Sequence, residues 1–198
     1  MELSGPADDV APTLLGARLV AGRVTVRLTE VEAYAGESDP GSHAFRGRTP
    51  RTAVMFGPAG RAYVYFSYGM HWCLNVVTGP VGQAGAVLLR AGEVVDGHGL
   101  ARERRPGAAD RDLCRGPARL CRALGITGEQ DGTDLLDPAS PVRLLLPPSP
   151  VEAGLVRTGP RVGLAGAGAP TPWRFWLADE ATVSVYRPAV ARRPTIAS

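Results

Sequence analysis

Apolar and polar positions alternate with period two through Val24, Val26 and Leu28, and a short apolar segment precedes them across Ala21-Gly22. This pattern predicts two strands over residues 18–34 joined by a tight turn. Residues 61–78 predict a hairpin turning near Tyr68-Gly69, and residues 85–91 a further strand. The segment PARLCRAL (117–124) predicts a helix, with Pro117 at its first position and Gly125 just past its end. Shorter apolar stretches predict strands at 142–146, 173–178 and 182–187, with loops over 97–111, 127–141 and 147–160. The 25 glycines and 18 prolines are scattered, as short strands with many turns require, and neither a linker nor a repeat interrupts them. The expectation is one α+β domain over residues 1–198, dominated by antiparallel strands, with residues 1–11 and 189–198 flexible.

Composition narrows the class. At 198 residues, 44% hydrophobic and 21% charged, the chain is long and apolar enough to bury a core. No apolar run approaches the roughly 18 residues of a membrane helix, and the start MELSGPADDVAP lacks the features of a secretory signal. Cys73, Cys114 and Cys121 are odd in number and lack metal-clip spacing; Cys114 and Cys121 are expected in the core beside the predicted helix. These features predict a reduced, cytoplasmic, monomeric protein with no metal. The net charge is only +3, but all 22 basic residues are arginine. Arginine's planar fork suits phosphates and bases, although a GC-rich genome would give the same bias. Either way, no side-chain amine is available to form a Schiff base.

Candidate chemistry concentrates early in the chain. Eight of the twelve Phe, Trp and Tyr residues lie between Tyr34 and Trp72, among acids and arginines. That mixture suits a flat, charged ligand such as a nucleobase. Strict alternation would put Glu30, Glu32 and Tyr34 on the apolar face of Val24, Val26 and Leu28. A buried glutamate there could hold water as a general base and stabilise a growing positive charge. If the alternation breaks at a bulge, the acids face solvent instead. Tyr63 and Tyr65 share one face of the hairpin, and Tyr68, Gly69 and Met70 form its tip. An exposed aromatic and a thioether there suit insertion between bases; a strand packed in an ordinary core would read alike. His43 follows a turn-rich stretch and could donate to a ligand or serve structure alone. Arg51 and Arg90 could pair with Glu30 or Glu32, touch phosphate, or lie on a plain surface. Asn75, apolar on both sides, needs a partner if buried.

Together, TEVEAYAGESDPGSHAFRGRTPR, MFGPAGRAYVYFSYGMHWCLNVV, AVLLRAGE and LCRGPARLCRALGI resemble the alkyladenine (3-methyladenine) DNA glycosylase family of the mammalian type. A weaker echo continues through RVG (161–163) and RFW. The resemblance implies a single compact α+β domain around a curved antiparallel sheet, with a protruding hairpin and flanking helices, and no cofactor. It implies double-stranded DNA containing damaged purines as the partner. Residue by residue, it makes Glu32 the general base, with Arg90 and the carbonyl of Val162 holding the water. Tyr34 and His43 would stack on one face of a flipped base and Tyr65 on the other, and His43 would bond the lesion. Tyr68 would fill the gap in the duplex with Met70 beside it, Asn75 would reject guanine, and Arg51 is assigned to DNA. Thr52 and Trp72 depart from the family's usual asparagine and smaller aromatic, which bears on pocket shape and DNA grip.

The implied reaction is hydrolytic release of an alkylated, deaminated or etheno purine, leaving an intact abasic strand. The competing readings are a non-catalytic nucleic-acid binding module, in which Glu32 is structural, and an enzyme acting on free nucleosides. The pair Glu32 and Arg90 weighs against the first, and the aromatic hairpin tip against the second.

Overall fold

Eight strands form one antiparallel sheet in the computed structural model, which describes residues 3–189. They are Arg18–Ala21 (β1), Val24–Tyr34 (β2), Ala62–Ser67 (β3), His71–Val77 (β4), Ala86–Asp96 (β5), Val142–Leu145 (β6), Val156–Gly159 (β7) and Arg174–Leu177 (β8). Three α-helices accompany them: Ala7–Val10 (α1), His98–Arg104 (α2) and Pro117–Leu124 (α3). The strand order is β3-β4-β5-β2-β1-β6, and β8 pairs with both β2 and β7. The α+β class with a curved antiparallel sheet, a hairpin and flanking helices is the one the sequence predicts.

The central pair β2 and β5 sets the geometry. Their register shifts on either side of Glu30: Leu28 lies opposite Gly92, Glu30 opposite Ala91, and Val31 opposite Leu89. Val24, Val26 and Leu28 belong to the main core, but beyond the break it is Val31 and Ala33 that do. The β-bulge inserts one residue, bends the strand and exchanges its faces. Glu30, Glu32 and Tyr34 therefore leave the apolar face that strict alternation assigns them. The other expectation fails too, because Glu30 and Glu32 are fully buried and not solvent-facing. The bulge also changes the partner of β2, which pairs with β1 over residues 24–27 and with β8 over residues 30–32.

Helix α3 spans the residues read from the sequence. Gly125 ends it in the left-handed region (φ 72°), and Ile126 N–H donates back to the Cys121 carbonyl at 2.9 Å. Leu120, Cys121, Ala123 and Leu124 are buried against the sheet, and Cys114 joins them in the core.

Four segments differ from the sequence reading. Residues 97–111 contain α2 and a 3-10 turn, and residues 147–160 contain β7; both elements are too short to show a period. Residues 182–187 are not a strand. Their backbone groups bond side chains of the site, so they do not extend the ladder. Residues 3–11 are not a loose end either, since Leu3, Ala7, Val10 and Ala11 pack into the core. Of the expected flexible tail, residues 190–198 lie outside the described residues.

Candidate active site

Two buried carboxylates project from β2 just beyond the bulge. Glu30 accepts four hydrogen bonds: Oε1 from Arg90 Nε (3.0 Å), Arg174 Nε (2.6 Å) and Ser184 Oγ (2.8 Å), and Oε2 from Ser184 N–H (2.7 Å). Glu32 accepts three: Oε2 from Tyr34 Oη (2.9 Å) and Arg90 Nη1 (3.2 Å), and Oε1 from Val162 N–H (2.7 Å). A carboxylate offers about two acceptor positions per oxygen: three donors crowd Glu30 Oε1, while Glu30 Oε2 and Glu32 Oε1 take one donor each. Burial alone would lower the affinity of Arg90 for its proton, but Glu32 and Glu30 more than offset this and hold it above the usual value. The cation is fixed between two anions.

A cavity of about 490 Å³ opens in front of this network, within the size range of small-ligand sites. Tyr34, Arg90 and Val162 line it, as do His43, Tyr65, Asn75 and Arg51. Glu32 lies directly behind the first three, bonded to each of them. The structure thus gathers Glu32, Arg90, Val162, Tyr34, His43, Tyr65, Asn75 and Arg51 at one place. Val162 meets Glu32 through its amide N–H, whereas the resemblance assigns its carbonyl a part.

The cavity walls combine aromatic rings with the guanidiniums of Arg51 and Arg90. His43 stands edge-on against Tyr65, with ring centroids 4.5 Å apart, and its Nδ1 shares a 3.0 Å hydrogen bond with Tyr63 Oη. His43, Tyr34 and Tyr65, which the resemblance sets about a flipped base, all line the cavity. His43 is partly exposed, with Arg51 Nη2 3.5 Å from its Nε2, but the surrounding rings remove much of its solvation. That burial, with the charge of Arg51 nearby, lowers its pKa to about 4. Burial also raises the pKa values of Tyr34, Tyr63 and Tyr65, for Tyr34 with the help of Glu32 and for Tyr65 with that of Cys73. All three phenols therefore stay protonated at neutral pH.

Arg161, which the sequence reading passed over, holds Tyr34 from behind. Its guanidinium lies 4.6 Å from the Tyr34 ring centroid and forms a buried pair with Asp39 at 2.5 and 2.8 Å. It also donates to the carbonyls of Ala33 (2.9 Å) and Gly168 (3.1 Å). Gly36 begins the turn after Tyr34 with φ +59°, and a side chain there would collide with the Ala84 carbonyl. Arg174 and Ser184 are the other omissions. Arg161 and Arg174 stand in the motifs RVG and RFW, where a search for a buried cation could have found them. Ser184 carries no such mark.

Asn75, 4% exposed, donates from Nδ2 to the Tyr63 carbonyl at 3.0 Å, which fixes its amide at the cavity. Thr52 is buried and bonded to Thr49, away from the lining. Trp72 packs 4.7 Å from the Phe66 ring and against Gly128, so this departure supports the hairpin and leaves the cavity shape alone.

The hairpin projects past its covered edge. Residues 131–133 bond the first half of β3, through Val64 N–H to Asp131 Oδ1 (2.8 Å) and Ala62 N–H to the Thr133 carbonyl (2.8 Å). At the tip, Tyr68 is 87% exposed and Met70 66%, so neither packs into a core. Tyr68 (φ 50°) and Gly69 (φ 65°) both have positive φ, and Met70 N–H donates to the Ser67 carbonyl at 3.0 Å, the marks of a type I′ turn. Among the described residues, no cluster of His, Cys, Asp or Glu is placed to hold a metal ion, and no helix is long and apolar enough to cross a membrane.

The family model described as methylpurine-DNA glycosylase matches residues 1–181. A Frankia casuarinae protein named "Putative 3-methyladenine DNA glycosylase" is 58% identical, with 96% of this chain and 92% of that protein covered. Proteins of the same name from Streptomyces avermitilis and Nocardia farcinica are 54% and 58% identical, covering 95% and 89% of this chain and 91% and 85% of their own.

Proposed function

This chain belongs to the methylpurine-DNA glycosylase family, and we propose that it removes damaged purines from duplex DNA by hydrolysing the N-glycosidic bond. Its relatives' names point to 3-methyladenine; the proposal extends to other alkylated, deaminated and etheno purines. The mammalian character of the resemblance rests on motifs alone, since the relatives compared are bacterial. The expected site of action is cytoplasmic, on the nucleoid.

The observation that carries this reading is Glu32, fully buried behind an aromatic cavity with one acceptor position unfilled. A base inside a duplex must be extruded first, at a cost of a few kcal/mol. Stacking on Tyr34 with His43 on one face and Tyr65 on the other offsets this by about 1–3 kcal/mol per base contact. Tyr68 fills the vacated stack, with Met70 beside it, and Arg51 at the cavity rim meets the DNA. Asn75, its amide fixed, excludes purines that carry an exocyclic amine at its position.

Breaking the bond from C1′ to the base leaves an oxocarbenium-like sugar. The Glu32 carboxylate stabilises that cation, and its free Oε1 position accepts a proton from the attacking water. Arg90 keeps Glu32 oriented. A base alkylated on a ring nitrogen is cationic and leaves without further help. A neutral lesion needs a proton, and His43 cannot supply it at pH 7: with a pKa of about 4, roughly one molecule in a thousand carries the charge.

The test is single-turnover release from duplexes carrying 3-methyladenine, 7-methylguanine, hypoxanthine or ethenoadenine. Wild type is expected to release at least one of these bases. Glu32→Gln should slow release by about 10²–10⁴-fold, the scale of a lost general base, while binding the same duplex as tightly. Binding by both proteins with release by neither would leave a nucleic-acid binding module.

A further inference from the structure

Ser184 stands at the joint between the two buried carboxylates, in an extended strap of residues 182–187 that lies beyond the residues matched by the family model, which end at 181. The strap is tied to the site along its length. Thr182 Oγ1 and Thr29 Oγ1 share a 2.9 Å hydrogen bond, and the Val183 carbonyl accepts from Arg115 Nε at 2.8 Å. The Ser184 carbonyl accepts from Arg174 Nη2 at 2.8 Å, and the Arg187 carbonyl accepts from Gly163 N–H at 2.9 Å. Ser184 itself donates to Glu30 twice, through N–H (2.7 Å) and Oγ (2.8 Å), and its hydroxyl accepts from Arg90 Nη2 at 3.4 Å.

We propose that Ser184 is a positioning residue for base excision, fixing the Arg90 guanidinium so that Nη1 stays on Glu32. This role rests on the glycosylase reading of Glu32. Each nitrogen of Arg90 has its own partner: Nε on Glu30, Nη1 on Glu32 and Nη2 on Ser184. Three anchors in one plane stop a guanidinium from pivoting, whereas two allow it to rock about the line between them. Of Glu30's partners only Arg90 lines the cavity, so Glu30 acts on the site through that guanidinium. In a site closed to water such bonds are strengthened, and small misplacements of a reacting group cost large factors in rate. Ser184 reaches this network from the far end of the chain without touching the cavity.

The experiment compares the full-length wild type with Ser184→Ala and Ser184→Thr. Single-turnover excision at saturating enzyme, affinity for a duplex containing an abasic-site analogue, and thermal unfolding are measured for each. Ser184→Ala keeps the backbone bond to Glu30 and removes only the hydroxyl. It should lower the excision rate about tenfold, the loss expected for one hydrogen bond to a charged group, with DNA affinity unchanged. Ser184→Thr should restore most of the rate. Excision by Ser184→Ala at the wild-type rate would overturn the role, as would equal losses in both variants. If Ser184→Ala does not fold, Ser184→Cys, with a thiol that bonds weakly, reads the same split, and wild-type rate there overturns the role. A wild type that releases none of the tested bases would overturn the glycosylase reading itself, and this role with it.

Discussion

Glu30 and Glu32 are two positions apart on one strand and equally buried, yet they have different chemistry left to offer. All three partners of Glu32 line the cavity, whereas of the partners of Glu30 only Arg90 does. A search by residue type selects both, and only the partners around each separate the carboxylate proposed as the base from its neighbour. His43 carries a prediction at this scale. Its native pKa of about 4 lies below the usual 6.5, so between those values the unfolded chain binds a proton that the folded chain does not. Stability from this group is therefore present above pH 6.5 and is lost as pH falls toward 4. Thermal unfolding from pH 7 to 4 should fall less steeply for His43→Gln than for wild type, and an NMR titration should put the His43 midpoint below 5. Parallel unfolding curves for the two proteins would contradict this.

At the scale of elements, the bulge in β2 and the tip of the hairpin matter most. The bulge leaves a trace in the sequence, where apolar positions 24, 26 and 28 give way to 31 and 33, but that shift does not say whether the displaced acids are buried; their surroundings show only when β5 and β8 are set beside the strand. The hairpin was legible, since two alternating runs flank Tyr68-Gly69. What the tip is for follows from its strain. A type I′ turn favours Asn-Gly, yet an exposed tyrosine holds φ at 50°, a conformation that costs a non-glycine residue about 1–3 kcal/mol. Tyr68→Asn should therefore leave the melting temperature unchanged or raise it by a few degrees, at about 2–4 °C per kcal/mol. The same change should weaken binding to a damaged duplex by about tenfold or more, the worth of one stacked ring. A variant less stable than wild type, with unaltered binding, would show that the ring serves the fold.

Across the whole molecule, the absence of lysine limits the reaction. A glycosylase that also cuts the strand commonly attacks the sugar with an amine, and every basic side chain here is a guanidinium. Base release should leave the phosphodiester strand intact, and borohydride should trap no covalent adduct with abasic DNA. An adduct that forms efficiently would point to the N-terminal amine. The sequence by itself determined this limit, the α+β class, the helix at 117–124, and the clustering of Glu32, Tyr34, His43, Tyr65, Asn75 and Arg90, because composition, local period and contiguous motifs are properties of neighbours in the chain. Tertiary structure decided which face the acids occupy, which carboxylate stands behind the cavity lining, and that Arg161, Arg174 and Ser184 bond to the site's residues. Those outcomes depend on register and on bonds between residues up to 154 positions apart, such as Ser184 to Glu30, where no local pattern reaches.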